Sequence, residues 1–328
     1  MRDAVMRWLD YVAPSGSERT LVDALLDSVR EAADEVLVDA LGSGIARKRG
    51  DGPHLMLAAH VDEPGLMVID IDDRGYLHVV SVGDVKPREC VGRQVVFTNG
   101  AVGLVHAEEP KEGDLDIDAL VIDVGARSRE EAERLAPIGT AGVLMVQPVS
   151  WGESLVTGRA IDNRLGCWAA AEAFRRLSAK GKNVSLAFTA QNVVGARAAR
   201  AAAFQLEPAY AIVVDAADAD DVLHRSPVVA LGKGPVLKVM DRATVVPLEG
   251  KRAVEKAADG LGLALQYEVS REAWSDTGAI QLSRGGCVAI GLGYPVRRAG
   301  AFAATADLAD VDGLIRLLVA TAEGLLGG

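Results

Sequence analysis

Hydrophobic positions follow two different patterns along this chain of 328 residues. Near both ends, short apolar runs alternate with stretches of helical period. The run HLMLAAH at 54–60 is almost continuously apolar and ends in polar residues, as a central strand of a parallel sheet does. A helical stripe precedes it, made of Leu21, Val22, Leu25, Leu26 and Val29. This alternation predicts an α/β domain.

The middle of the chain has a different texture. Between residues 66 and 156, short β-type runs are separated by turn signals, and one short helix, SREEAERLA, interrupts them. This pattern predicts a compact β-domain inserted into the α/β domain. We therefore expect residues 1–65 plus 157–328 to form one domain and 66–156 the other.

Two local motifs give sharper expectations. The segment EVLVDALGSGIARKRG predicts a hairpin that turns at Gly42 and Gly44. The segment SGSE at 15–18 fits a capping box, in which Ser15 caps the next helix and Glu18 reaches back to it.

Composition and charge narrow the classes of function. The formal net charge is −11, and we find no run of Lys or Arg, which argues against nucleic acid or an anionic membrane surface as a partner. No apolar run reaches 18 residues, so no membrane span is expected. The three cysteines form no CxxC motif and the first residues, MRDAVMRWLDYVA, carry charges throughout, which together favour the cytoplasm.

Polar side chains follow several of the predicted strands. His60 and Asp62, Asp162, Asn192 and Asp215 stand at or near such ends, where open α/β sheets bind their ligands. Their oxygen and nitrogen donors suit a divalent ion, although a single aspartate at a strand end is more often a cap or loop residue. In the H-x-D spacing, the acid can orient the imidazole.

The order of the motifs carries a resemblance. APSGSE, AAHVDEPGLMV, GRAIDNRLGC, AIVVDAAD, LGKGP and SDTGAIQLSRGG occur in the order and approximate spacing of the tetrahedral (TET-type) aminopeptidases, metallopeptidase family forty-two. The resemblance covers essentially the whole chain. It implies a zinc-peptidase-like α/β/α domain with an inserted β-barrel-like domain for dimerisation or assembly. It also implies a cytoplasmic homo-oligomer, from a dimer to a dodecamer.

The resemblance assigns roles to four residues. The family uses two metal ions bridged by one aspartate, with a glutamate as general base. On this basis His60 matches the first-metal histidine, Asp62 the supporting acid, Asp162 the bridging aspartate and Asp215 the remaining first-metal carboxylate.

At three other positions the chain departs from the family pattern. Asn192 stands where the general base is expected, Val193 where a second-metal ligand is expected, and Gly300 where the second-metal histidine is expected. No histidine follows residue 224, so a shifted alignment does not restore the last of these. Trp274 stands where the family has a glycine.

These departures remove specific chemistry. An amide cannot take a proton from a metal-bound water at neutral pH, and valine offers no lone pair to a metal. Two alternatives remain for His60, Asp162 and Asp215: they hold one divalent metal, zinc or cobalt, or they persist as hydrogen-bonding groups without metal. A second metal is not expected.

Two functions follow from this pattern. In the first, the chain is an inactive or very weak homologue of dinuclear-metal aminopeptidases that binds peptides or has a structural or regulatory role beside an active paralogue. In the second, it is a working hydrolase with one metal ion and a different base, such as Asp62. The sequence favours the first, because the residues lost are those that transfer the proton and hold the second ion.

Overall fold

The computed structural model describes residues 2–107, 113–222 and 227–327. Its α-helices are α1 (Arg2–Leu9), α2 (Arg19–Val29), α3 (Pro87–Cys90), α4 (Arg129–Leu135), α5 (Ile161–Ala179), α6 (Arg197–Leu206), α7 (Leu248–Leu261), α8 (Asp276–Gln281) and α9 (Leu308–Leu326). Short 3₁₀ turns occupy Arg30–Ala32 and Ile117–Ala119. No helix in these described ranges is both long enough and apolar enough to cross a bilayer.

The strands fall into two groups by hydrogen bonding. Those of the larger sheet are β1 (Glu35–Val38), β2 (Gly44–Lys48), β3 (Asp51–His60), β10 (Val149–Trp151), β11 (Leu155–Gly158), β12 (Lys182–Thr189), β13 (Tyr210–Asp218), β14 (Val236–Met240), β15 (Gln266–Val269), β16 (Val288–Arg297) and β17 (Ala304–Asp307). Those of the smaller sheet are β4 (Gly65–Ile71), β5 (Leu77–Val82), β6 (Gln94–Phe97), β7 (Val102–Ala107), β8 (Leu120–Asp123) and β9 (Ala141–Leu144).

The larger sheet forms the middle layer of an α/β/α arrangement. Its main path runs β1-β2-β12-β3-β13-β16-β17-β11-β10, and β14 pairs with both β16 and the outer strand β15. Strands β12, β3, β13 and β16 are parallel neighbours. Apolar side chains of α2, α5, α7 and α9 cover one face, and those of α6 and α8 cover the other. Burial on both faces explains why β3 has a nearly continuous apolar sequence.

The smaller sheet closes into a barrel in the order β4-β5-β8-β7-β6-β9. A separate apolar core fills it, and α4 begins after Ser128, whose hydroxyl accepts a hydrogen bond from the amide of Glu131 at 3.3 Å. The α/β class, the inserted barrel and the hairpin of β1 and β2 are therefore confirmed. The domain boundary at 156 stays a prediction. Strands β10 and β11 belong to the larger sheet, so a boundary drawn between the two sheets would fall earlier, between residues 145 and 148.

The predicted capping box at 15–18 is wrong. Helix α2 begins at Arg19 without a side-chain cap. The Ser15 hydroxyl instead donates to a carboxylate oxygen of Asp62, and Glu18 accepts the amide of Gln191 at 3.0 Å. Asp62 is fully buried, and a buried carboxylate without hydrogen-bond donors is costly, so the Ser15 hydroxyl is used there.

Candidate functional site

A cleft of about 430 Å³ lies between the larger sheet and the barrel. One wall comes from the carboxyl ends of the parallel strands, and the other includes Asp84, Lys86 and Glu89 from the segment after β5. This position matches the general rule that open α/β sheets bind ligands beyond the carboxyl ends of their strands.

His60, Asp162 and Asp215 meet at the floor of this cleft. The Nε2 atom of His60 lies 3.4 Å from Oδ1 of Asp162 and 3.6 Å from Oδ1 of Asp215. One ligand atom from each of the three residues lies within 4.8 Å of the others. The sequence therefore identified three residues that the fold brings together.

The fold explains this meeting. His60 ends β3, and Asp215 lies on the adjacent parallel strand β13, one residue past the Val214 that pairs with Ala59. Asp162 lies in the irregular first turn of α5, which is fixed to β13 because the side chain of Asn163 donates to the carbonyl of Val214 at 2.7 Å.

The three groups perturb one another electrostatically. Burial by itself would lower the pKa of His60, but the surrounding aspartates Asp162, Asp215 and Asp62 hold that pKa well above its ordinary value. Burial, together with the negative charge of Asp162, raises the pKa of Asp215 to about 6. Burial also acts to raise the pKa of Asp162, but the interactions with His60 outweigh it and lower that pKa. Two carboxylates this close favour a cation between them.

The donor set fits one divalent ion. One imidazole nitrogen and two carboxylates are ligands that zinc accepts, and a fourth position would be left open. In addition, Oδ1 of Asp162 is buried and makes no hydrogen bond within the described residues. A buried oxygen without a donor is costly, and a bound cation would satisfy it.

Asp62 lies behind the triad rather than in the cleft. It is fully buried, and its carboxylate accepts the amides of Asn192 at 2.9 Å and Val193 at 3.0 Å as well as the hydroxyl of Ser15. Burial would raise the pKa of Asp62, but His60, Ser15 and the amide of Asn192 lower it. Asp62 therefore holds the turn at 192–193 in place beside His60.

The side chain of Asn192 is bound to a second buried acid. Its amide nitrogen donates to Oδ1 of Asp276 at 2.7 Å, and the other oxygen of Asp276 accepts the Thr189 hydroxyl at 2.5 Å. Burial raises the pKa of Asp276. The position expected for the general base thus carries a neutral amide engaged with a carboxylate.

Val193 and Gly300 also line the cleft, without donor atoms in their side chains. Val193 packs against the barrel: a Cβ atom built on Gly83, which has φ +80°, would lie 2.8 Å from Cγ2 of Val193. At Gly300, φ is +74° and no atom lies within 4 Å of a built Cβ. Of the two positions expected to hold the second metal, Val193 is therefore filled by apolar packing, and Gly300 is bordered by open space.

Sequence reasoning missed a buried ion pair in the cleft wall. Nζ of Lys238 lies 2.7 Å from Oε2 of Glu268, and burial, which would lower the pKa of Lys238, is outweighed by Glu268 and Asp215, so that pKa is raised. The two residues lie opposite each other on β14 and β15. A charge inside the apolar run VLKVM was the signal that could have revealed the pair.

A second missed cluster fixes the N-terminal segment under the cleft. Arg159 and Arg164 both contact Oε1 of Glu63. The guanidinium of Arg159 also donates to the carbonyls of Leu9 and Tyr11, each at 3.1 Å. These contacts join residues before α2, the entrance to the barrel and the start of α5.

Comparison with known proteins gives a consistent result along the chain. Residues 42–317 match the family described as M42 glutamyl aminopeptidase. An Acetivibrio thermocellus protein, provisionally named an aminopeptidase, is 36% identical over 322 residues, 97% of each chain. Lysyl aminopeptidase of Pyrococcus furiosus is 33% identical and covers 92% of this chain and 91% of its own.

Solved structures agree with the fold. A TET aminopeptidase from a marine sediment archaeon, Thaumarchaeota archaeon SCGC AB-539-E09, superposes with a TM-score of 0.92 at 27% identity, covering 99% of this chain and 96% of its own. The Pyrococcus horikoshii TET1 peptidase, which can assemble into a tetrahedron or a large octahedral shell, gives a TM-score of 0.89 at 27% identity, covering 98% of each chain.

Proposed function

The chain belongs to the M42 glutamyl aminopeptidase family, and from that premise we propose that it is a peptide-binding member whose cleavage of peptides is lost or very weak. One observation carries the proposal. The turn at 192–193 presents no acid to the triad: the Asn192 amide donates to Asp276, and Val193 packs against Gly83.

The chemistry of the cleft supports binding more than turnover. His60, Asp162 and Asp215 would hold one divalent cation, zinc or cobalt, which when bound would supply a Lewis acid to the amino end of a peptide. Proton transfer then needs a base, and loss of such a group typically lowers rates about 10²–10⁴-fold. Asn192 can hold a peptide by hydrogen bonding but cannot accept that proton at neutral pH.

A one-metal hydrolase that uses Asp62 as its base is the less favoured function. Asp62 has no exposure to solvent, and its two oxygens accept the hydroxyl of Ser15 and the amides of Asn192 and Val193. A base must reach the proton it removes, and Asp62 is directed away from the cleft into this network.

Restoring the lost groups tests the proposal. Protein incubated with zinc or cobalt and desalted is assayed on a panel of aminoacyl anilides, and its metal content is measured by elemental mass spectrometry. We expect no more than one ion per chain and turnover that is absent or very weak. The combined variant Asn192→Glu, Val193→Glu and Gly300→His is expected to hold nearer two ions and to gain activity by at least 10²-fold.

Two controls make the result interpretable. The double variant Asn192→Glu with Val193→Glu separates the effect of the two glutamates from that of the histidine. It is needed because histidine at φ +74° costs about 1–2 kcal/mol. Asp215→Asn should lower metal content. Turnover by the unaltered protein with two bound ions would overturn the proposal, and an unchanged metal content in the combined variant would contradict the residue assignments.

We also propose that the chain assembles with copies of itself in the cytoplasm, from a dimer up to a dodecamer. The support is its likeness to structures described as TET assemblies, among them a dodecamer. Light scattering after size exclusion measures this directly, because a mass of only 34.4 kDa would contradict assembly. If no peptide binds, the remaining proposal is a structural or regulatory role beside an active paralogue.

A further inference from the structure

The walls of the cleft carry an excess of acids. Its lining residues include eight carboxylates against three lysines and arginines. One divalent ion would neutralise two of those charges, so the cleft would still be negative. A concave site of one sign raises the local concentration of ligands of the opposite sign.

Most of these acids already have partners. Outside the triad, Glu63 contacts Arg159, Glu89 contacts Arg298 at 2.7 Å, Glu268 contacts Lys238, and Asp218 accepts the amide of Ala299 at 3.1 Å. The carboxylates of the remaining two, Asp84 and Glu272, make no hydrogen bond or ion pair with any residue that the structure describes.

The two unpaired acids differ in their surroundings. Asp84 is two positions from Lys86, a cation that also lines the cleft. Glu272 has no such neighbour among the cleft-lining residues of its own segment, which are Ser270, Ala273 and Trp274, and the adjacent Arg271 does not line the cleft. Among the unpaired acids, Glu272 is therefore the one with no cleft-lining cation beside it in the chain.

The segment that carries Glu272 has a fixed backbone. The Ser270 hydroxyl accepts the amides of Glu272 at 3.2 Å and Ala273 at 2.9 Å. The carbonyl of Ala273 accepts the amide of Arg242 at 2.8 Å, and the Ser275 hydroxyl donates to Asp241 at 2.8 Å. These hydrogen bonds of Ala273 and Ser275 hold Trp274, which lies between the two residues, in the cleft wall.

Trp274 provides an apolar surface next to this charge. Its side chain is 38% exposed and lines the cleft. A tryptophan face attracts a cation by about 0.5–2 kcal/mol, and the methylene groups of lysine or arginine pack well on an aromatic ring. Glutamate and tryptophan two residues apart thus match a side chain with an apolar stem and a cationic head.

We propose that the cleft selects peptides whose first residue is lysine or arginine, with the stem on Trp274 and the cationic head at Glu272. This inference rests on the proposed function that the cleft binds peptides, and it names the class of ligand. The positive head is satisfied by Glu272, while the triad at the cleft floor receives the amino end of the peptide.

Peptide binding to the full chain tests the inference. Three tetrapeptides with a C-terminal fluorophore differ only in the first residue: lysine, norleucine, which has a similar length without charge, or glutamate. Binding to zinc-incubated protein is followed by fluorescence anisotropy. We expect the lysine peptide to bind at least tenfold more tightly than the norleucine peptide, with a preference that shrinks as salt rises.

Variants assign the preference to residues. Glu272→Gln should reduce the lysine preference to about threefold or less and leave norleucine affinity unchanged, because it removes only the charge. Trp274→Gly should weaken both peptides. Glu133→Gln, on an exposed glutamate of α4 outside the cleft, is the matched control and should change neither.

The outcomes distinguish failure of this inference from failure of the proposed peptide binding. Equal binding of lysine and norleucine peptides would overturn the inference while peptide binding stands. Binding of none of the three peptides would overturn both the inference and the proposal that the cleft binds peptides. A lysine preference that persists in Glu272→Gln would overturn the assignment to that residue.

Discussion

Lys238 is a buried cation whose ion-pair partner is Glu268. Its side chain is 4% exposed and that of Glu268 is 10% exposed, at an Nζ to Oε2 distance of 2.7 Å. Removing one member of such a pair leaves the other as an uncompensated charge, which costs more than the pair itself contributes.

We therefore expect Lys238→Met to lower the free energy of unfolding by about 3 kcal/mol at neutral pH. The double variant Lys238→Met with Glu268→Leu should recover most of that loss, since no charge is left behind. Urea unfolding of the three proteins measures both effects. Equal stability of the single and double variants would contradict the pairing.

The residues of the site were predictable to different degrees. His60, Asp162 and Asp215 could be predicted because each follows an apolar strand or begins a helix, and parallel strands bring their carboxyl ends to one edge. The partners of Ser15 and Lys238 could not be predicted in this way. Ser15 fits a local motif equally well, and the contacts that decide its role come from Asp62, far along the chain.

At the scale of elements, periodicity predicted the types of segment better than their pairing. The hairpin of β1 and β2, the strand β3 and the helix α4 all occur where the pattern indicates. The neighbours of β14 and β15 did not follow from the sequence, because both strands are short and the sheet order places them beside β16. Sheet order depends on long-range packing that a local pattern does not encode.

One acid joins two elements and gives a pH dependence. Asp310, in the first turn of α9, accepts the amides of Gly232 at 2.7 Å and Gly234 at 2.8 Å, which fastens the loop before β14 to the helix. Burial raises the pKa of Asp310 from 3.8 to about 6, although the two amides act in the opposite direction.

The sign of the effect follows from proton binding. Between pH 3.8 and about 6 the folded state binds this proton more tightly than the unfolded state, so the contribution of Asp310 to stability falls as pH rises through that window. In Asp310→Asn this fall should be absent. Urea unfolding at about pH 4, 5, 6 and 7 gives the free energy of unfolding of both proteins. The difference between the two free energies should change with pH below about pH 6 and stay constant above it. A difference that is constant over the whole range would contradict the raised pKa of Asp310.

At the scale of the whole molecule, the resemblance predicted more than the residues alone did. Alternating strands and helices indicate α/β layers, and the change of texture after residue 65 indicates an inserted β-unit. Closure of that unit into a barrel required the order of its six strands, which the hydrophobic pattern does not contain. The separation of the apolar cores of the barrel and the larger sheet suggests that the two units unfold separately.

Calorimetry tests this independence. We expect two thermal transitions, because multidomain chains often depart from a single cooperative step. Ile122→Ala in the barrel and Leu186→Ala in the larger sheet each remove a fully buried side chain, at a cost of about 2–5 kcal/mol. Each variant should shift one transition and leave the other in place. A single transition that both variants shift would show one cooperative unit.

The hydrogen bonds from Arg159 to the carbonyls of Leu9 and Tyr11 have a consequence for the synthesis of the chain. Leu9 and Arg159 are 150 positions apart, so the first segment cannot reach its final contacts until the guanidinium has been translated. At 5–20 residues per second, the ribosome needs roughly 8–30 s to cover that interval. During this time α1 lacks the helix α5, where Trp168 packs against Trp8. The barrel, which lies between α1 and α5 in the sequence, can fold first. The segment around Leu9 thus depends on protection from aggregation until the residues around Arg159 have been synthesised.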